Sequence, residues 1–403
     1  MYTAQRNATR LLSGQGIAMH SKGLRTRKGP TGLLTALILL VCHFTSAADE
    51  REALGQALFS DTNLSLRRNQ SCSTCHDPNI AYSDGRNNNV SGAVSLGDDG
   101  VSLGDRNAPS LTYAFLIPAF YRSANGDYVG GFFRDGRAST LIEQLGEPFT
   151  NPLEMAMPDI ATVVERVKEN PSHVTTLKNL YGNLVFENPE SAFQAVIESI
   201  AAFEQTATFA PFDSKYDRYL NGLYDFTREE ELGRVLFFSQ LTNCHRCHLL
   251  NTNEFTEEEP FTDHRYRNIG LPKNTFARQR NQLSSVYADT GLLQNPAVTD
   301  TTLAGKFRVP SLRNVAVTGP YMHNGIFEDL ITTVLFYNKY TLGNPDAQIN
   351  PETTMPWEPA EVEDTIDYDL LRTGQPISIR QARALVAFLE TLTDHRYETL
   401  LER

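Results

Sequence analysis

Four cysteines and two histidines stand at spacings that can do chemistry together: Cys72-Ser73-Thr74-Cys75-His76 and Cys244-His245-Arg246-Cys247-His248. Thiols at i and i+3 lie on one face of a helical turn, and a histidine at i+4 stands one turn above the first. That geometry lets both thiols form thioethers with one haem while the imidazole meets its iron axially. A zinc finger or ribbon would bring its ligand pairs closer than the 172 residues that separate these two motifs. A redox Cys-x-x-Cys needs no histidine after its second cysteine. The fifth cysteine, Cys42, lies in the N-terminal segment, so none is left over for the disulfides of an exported protein. The pattern predicts two covalently bound haem c groups, one on Cys72, Cys75 and His76, the other on Cys244, Cys247 and His248.

The second axial position then decides function, because a six-coordinate iron passes electrons while a five-coordinate one can bind and activate peroxide. No histidine occurs between residues 77 and 171, and the methionines Met155 and Met157 lie far along the chain. The loop after the first motif therefore offers no evident nitrogen or sulfur ligand. An open iron at His76 is the simplest expectation.

The elements that must position these groups read as mainly α, with two cytochrome-c-like haem domains in one chain. Helical periodicity is visible at 49–59, 160–168, 191–205, 227–238 and 379–393, and strand signals are sparse. Leu54-Gly55-Gln56-Ala57-Leu58-Phe59 is echoed by Leu232-Gly233-Arg234-Val235-Leu236-Phe237, each shortly before a haem motif, which suggests a duplicated module. Residues 49–210 and 211–403 are the expected domains. A Gly/Asn/Asp-rich stretch, 84–105, must be irregular or ordered from outside. The acidic, proline-containing stretch 345–369 reads as an insertion or surface loop.

Residues 22–28 are basic, an apolar run covers 33–44, and small residues lead to Asp49. This is the pattern of an export signal occupying 1–48, cleaved near Ala47-Ala48, with Met1 or Met19 as the start. The run is too short for a comfortable membrane span, and an uncleaved anchor is the alternative. The segment 1–48 holds six of the 36 basic and none of the 48 acidic residues, so its removal takes the formal charge from −12 to about −18. Nucleic acid and anionic membrane surfaces are poor partners for such a chain. The expected location is the periplasm or the exported cell surface.

Further landmarks stand in order along the chain: Arg106-Asn107-Ala108-Pro109-Ser110, Asp135-Gly136-Arg137-Ala138, Asn151-Pro152-Leu153-Glu154-Met155, Asn268-Ile269-Gly270, 307–314 and 319–325. With the two haem motifs, they make the whole mature chain resemble the bacterial di-haem cytochrome c peroxidases and their MauG-type relatives. The resemblance implies that Glu154 is the catalytic acid–base over the first haem, with Gln144 and Pro148 in its pocket. In the peroxidases a histidine some twenty residues past the first motif caps that haem; here that place is near Leu96, as in the MauG branch. The second haem of the peroxidases takes a methionine fourteen residues after the Pro-Tyr-x-His histidine; counting from His323 reaches Tyr337, and MauG also has tyrosine there. An anionic phenolate favours ferric and higher oxidation states over ferrous. The family's inter-haem calcium would take the Asn107 side chain and the backbone carbonyls of Thr318 and Pro320, all hard oxygen donors.

One departure stands out. The family usually carries a tryptophan before Asp-Gly-Arg as a relay between the haems, and this chain has Arg134 there. Charge sharing would then use direct tunnelling, Phe133 or another aromatic, unless Arg134 simply pairs with a haem propionate. The resemblance implies a MauG-like oxidase that uses hydrogen peroxide to oxidise an aromatic residue of a partner protein. A copper-binding protein with an oxidisable tryptophan is one such partner. The alternatives are a peroxidase fed by a small cytochrome c or cupredoxin, and a plain electron carrier with both irons six-coordinate.

Overall fold

The computed structural model describes residues 46–86, 88–250, 259–283, 286–341 and 345–402. Most of the proposed export signal lies outside them. The first helix, α1 (Ala47–Phe59), starts at Ser46, whose hydroxyl accepts from the Asp49 N–H while the Asp49 carboxylate accepts from the Ser46 N–H. It is followed by α2 (Leu141–Thr150), α3 (Ile160–Lys168), α4 (Pro171–Tyr181) and α5 (Pro189–Glu204). The longer helices of the second half are α6 (Arg228–Phe237), α7 (Leu330–Phe336) and α8 (Ile379–Glu390).

The periodic segments read from the sequence all appear, with ends shifted by a few residues. Periodicity carries 379–393 past the true end of α8, because the carbonyls of Thr391 and Leu392 turn aside to accept from the amides of Tyr216 and Asn314. Helices α2 and α4 are not visible by periodicity. The first carries Pro148 in its interior and the second starts on Pro171, where a missing N–H costs nothing.

Two helix pairs organise two apolar cores. In one, α1 packs on α5, with Leu58, Phe59, Val163, Ile200 and Phe209 nearly or wholly buried; in the other, α6 packs on α8, around Phe237, Phe261, Leu385 and Phe388. The β content among the described residues is three two-stranded antiparallel ribbons. One of them, Tyr266–Arg267 with Phe307–Arg308, lies against residues 133–134 of the first half, where the Arg308 N–H donates to the Arg134 carbonyl at 3.0 Å. No described helix is long and apolar enough to cross a membrane.

The stretch 84–105 is irregular, as expected, and it is ordered by a small core of its own. Val90, Val94 and Leu103 are buried together with Ala277 from the second half. The stretch 345–369 differs from expectation. Its composition is that of a surface loop, yet Trp357 is only 8% exposed and lies edge-on to Phe336 at 5.2 Å, with its indole N–H donating to the Ala347 carbonyl. One large aromatic anchors the segment, and Glu361 turns inward to pair with Arg278 at 3.3 Å.

Two candidate haem sites and the seam between them

At the first motif, Cys72–Cys75 form a single helical turn, and the His76 amide closes it on the Cys72 carbonyl at 2.9 Å. The His76 Nδ1 lies 3.0 Å from the Tyr82 carbonyl oxygen. A carbonyl can only accept, so Nδ1 carries the proton and the Nε2 lone pair is left to face a metal. Burial holds this imidazole below its ordinary pKa and pushes the Cys75 thiol up to about 12. Arg86 reaches from Asp84 to the Cys75 sulfur at 3.2 Å and to the Leu96 carbonyl at 3.2 Å. It therefore sets Leu96 close to the motif, and leucine has nothing to offer an iron.

The second motif repeats the arrangement with different neighbours. The His248 amide closes on the Cys244 carbonyl at 3.1 Å, and His248 Nδ1 lies 2.8 Å from the Phe261 carbonyl. Burial lowers this imidazole to about 4, which keeps it neutral and its Nε2 available. Both donor sets, two unoxidised thiols and one neutral imidazole with its free nitrogen fixed in direction, fit a covalently held haem.

Glu154 sits where the loop 151–157 folds back on α2. The Met155 and Met157 amides donate to the Pro148 and Phe149 carbonyls at 3.2 and 2.8 Å, which ties Pro148 to the neighbour of Glu154. Gln144 lies one turn earlier on the same helix. Burial pushes the Glu154 carboxyl up to about 7; Arg137 and a 2.9 Å hydrogen bond from the Asn151 amide pull the other way. Its charge bears on both Cys72 and Cys75, so this carboxyl faces the first motif.

Tyr337 stands at the end of α7. Its phenol is pushed well up, first by burial and then by the thiols of Cys247 and Cys244, which places it opposite the second motif. The residues on either side hold it there. Phe336 is fully buried against Trp357, and the Asn338 amide exchanges two 2.9 Å hydrogen bonds with the backbone of Ile377. The residue as a whole is 42% exposed, while its hydroxyl end is the part held among protein atoms near the two thiols.

The seam between the halves is rich in arginine. Arg106 is paired with Asp135 at 2.6 Å and with Asp289 at 2.7 Å, a buried cross-link from one half to the other. Arg134 donates to the Asn107 side-chain oxygen at 3.0 Å and to its carbonyl at 3.3 Å. The Asn107 amide nitrogen donates to the Ala93 carbonyl, and its backbone N–H to the His323 carbonyl at 2.8 Å. Of the calcium set expected at the Asn107 side chain and the backbone carbonyls of Thr318 and Pro320, the Asn107 oxygen does not fit a calcium ion as it stands. The one side-chain oxygen it needs already accepts from a guanidinium, and a dication beside that cation would be repelled.

Several residues that shape the sites have no signal in the sequence. The carbonyls of Tyr82 and Phe261 orient the two histidines, and any residue could have supplied them. Asn151 falls inside a landmark motif, but its hold on Glu154 does not follow from the motif.

Residues 49–225 match the family model for di-haem cytochrome c peroxidase. The chain is 51% identical to the methylamine utilization protein MauG of Paracoccus denitrificans over 356 residues, covering 88% of this chain and 92% of that protein. The fold resembles the diheme peroxidase BthA of Burkholderia thailandensis at a TM-score of 0.74 and 30% identity, over 86% of this chain and 87% of that one. It also resembles a MauG-like protein associated with microbial copper homeostasis, at a TM-score of 0.63 and 27% identity, over 87% and 92% of the two chains. The chain belongs to the di-haem cytochrome c peroxidase and MauG family, and it is a di-haem oxidoreductase.

Proposed function

We propose that the chain reacts with hydrogen peroxide at the haem site of His76 and, MauG-like, oxidises an aromatic residue of a partner protein. The observation that carries the reading is the pairing of unlike groups opposite two like motifs: Glu154 with a carboxyl near 7 faces Cys72 and Cys75, while Tyr337 faces Cys244 and Cys247. When bound, the haems would supply the irons, the peroxide-binding face and the storage of oxidising equivalents. Glu154 is close to half ionised at neutral pH, so it can take a proton from one peroxide oxygen and return it to the other. Asn151 fixes which way that carboxyl points. Gln144 and Pro148 wall the same pocket.

Tyr337 would hold the other iron through its phenolate oxygen. Burial disfavours an ionised phenol, so a metal cation is the natural compensation for that oxygen. The separate cores of the two halves support haem domains at 49–210 and 211–403. The basic, apolar and small-residue order of 22–48 supports export to the periplasm. Likeness to the copper-homeostasis protein keeps a copper-binding protein with an oxidisable tryptophan among the candidate substrates.

Low-temperature EPR of the resting diferric protein, with Tyr337→Met beside it, tests the reading. One high-spin and one low-spin signal, the latter alone changed by the substitution, is the expected result. Two low-spin signals as isolated would sink it. Likeness to the Burkholderia diheme peroxidase favours a second reading, reduction of peroxide to water with electrons from a small cytochrome c or cupredoxin. Sustained turnover with such a reduced donor, and no oxidation of a partner's aromatic residue, would select it.

A further inference from the structure

The seam holds more positive charge than its carboxylates answer. Arg106 takes both of the buried acids that reach it, Asp135 and Asp289. Arg137 shares Asp135 at 3.0 Å. Arg134 and Arg308 then face each other across the Arg308–Arg134 backbone contact, and among the described residues no carboxylate bonds either. The Nε atoms of both are buried without a hydrogen-bond partner among the described residues. Burial, then Arg308, then Arg106, pull the Arg134 guanidinium down to about 9, the mark of a cation held among other cations.

What holds Arg134 is neutral oxygen. Its Nη2 reaches both oxygens of Asn107, and Asn107 cannot easily turn away. The amide nitrogen of that side chain is engaged by Ala93, and its backbone N–H by His323 on the loop that carries Thr318 and Pro320. The flipped amide would aim an N–H at the guanidinium and an oxygen at the Ala93 carbonyl, both repulsive. Asn107 is thus oriented as an acceptor toward one cation, and that cation is part of the chain. Calcium wants six to eight oxygens, usually with carboxylates among them.

We propose that Arg134 is the resident cation of the seam, occupying by its guanidinium the Asn107 oxygen that a calcium ion would otherwise take, so that this protein holds its two haem sites together without calcium. The substitution at 134 then explains two departures at once: the loss of an oxidisable ring and the loss of a metal requirement have one cause. Arginine suits the post because it stays charged when buried and donates in a planar fork. The carboxylates carried by bound haems are the anions that such a cluster of arginines would receive.

The proposal rests on the family reading only for the calcium site it denies, and haem content measured by pyridine haemochrome keeps the two apart. The test uses the mature di-haem protein dialysed against EDTA, with metal content by mass spectrometry and EPR before and after. Expected are fewer than 0.1 calcium ions per chain and unchanged spectra. About one calcium per chain, or spectra that collapse with EDTA and return with calcium, would overturn the proposal whatever any variant does. Calorimetric titration of calcium chloride into wild type and Arg134→Gln supplies the second arm. The variant should bind calcium at least tenfold more tightly than the wild type, because the competing cation is gone and the Asn107 oxygen is freed. Equal affinities for the two proteins would show that Arg134 does not compete for that oxygen.

Discussion

In the first half α1 crosses α5 at Gly55, where a methyl group would stand 1.9 Å from the Ser199 carbonyl oxygen; in the second, α6 crosses α8 at Gly233, with the Ala384 carbonyl at 1.8 Å. Each crossing is followed by a Cys-x-x-Cys-His turn whose histidine gives its Nδ1 proton to a carbonyl, Tyr82 in one half and Phe261 in the other. Up to that point the halves are one design used twice. They part on the opposite side, where a carboxyl near 7 faces the first pair of thiols and a phenol faces the second. The scaffold fixes where the thiols and histidines stand, and the halves differ by one residue on an unrelated segment opposite them: on a loop after α2 in one half, at the end of α7 in the other.

The largest effect expected from breaking that difference is at Glu154. Glu154→Gln keeps the size and the contact with Asn151 but cannot move a proton. Reaction with peroxide, followed by stopped-flow absorbance, should slow by roughly 10²–10⁴-fold, the usual worth of a positioned acid–base. The low-spin EPR signal expected from the Tyr337 side should not change. An equal loss of both signals would mean that the two sites are not separable in this way.

The shared part of the design is tested at its glycines. Gly55→Ala and Gly233→Ala each drive a methyl group into backbone that cannot yield, so each should cost about 2 kcal/mol of stability by overpacking, read from chemical denaturation. Gly146 in α2 is the control. A methyl group there would meet nothing nearer than a Phe193 ring carbon at 3.6 Å, so Gly146→Ala should be neutral or stabilise by up to about 1 kcal/mol through helix propensity. Markedly unequal losses at 55 and 233 would argue against equivalent crossings.

How much of this was legible depended on how local each signal is. The haem motifs are complete within five residues, so the residue types and spacing suffice. The echo of Leu54–Phe59 in Leu232–Phe237 is also local, and both segments became helices with the glycine at the crossing. Tyr337 and Glu154 are singled out only by the register of a family resemblance, since nothing in their neighbourhoods distinguishes a ligand from a core aromatic or a surface acid. The contact of Arg134 with Asn107 spans 27 residues and depends on loops, which periodicity does not reach. Segment 345–369 misled for a physical reason. Composition averages over a segment, whereas one buried tryptophan is enough to anchor it.

The unlike halves should also differ in their response to pH. Glu154 must be ionised to accept a proton, and burial raises its carboxyl to about 7. The second-order rate with peroxide should therefore be flat above that value and fall about tenfold per pH unit below it. The direction follows from which form is active: protonation removes the base, so acid slows the reaction. Glu154→Gln should abolish this limb and leave a slow, pH-independent reaction. A wild-type profile with its bend near 4.5 would mean that burial does not act on this carboxyl as argued.

The smallest expected effect sharpens the second half alone. Trp357 packs edge-on against Phe336 and donates its indole N–H to the Ala347 carbonyl at 2.9 Å. Trp357→Phe keeps an aromatic ring but leaves that carbonyl without its donor, a loss of about 1 kcal/mol. Phe336 precedes Tyr337 directly, so looser packing there should be felt at the phenol. The expected outcome is a broadened or shifted low-spin EPR signal with the high-spin signal and the peroxide rate unchanged. If the high-spin signal moved instead, Trp357 would be acting across the seam, and the independence of the two halves would fail at its weakest point.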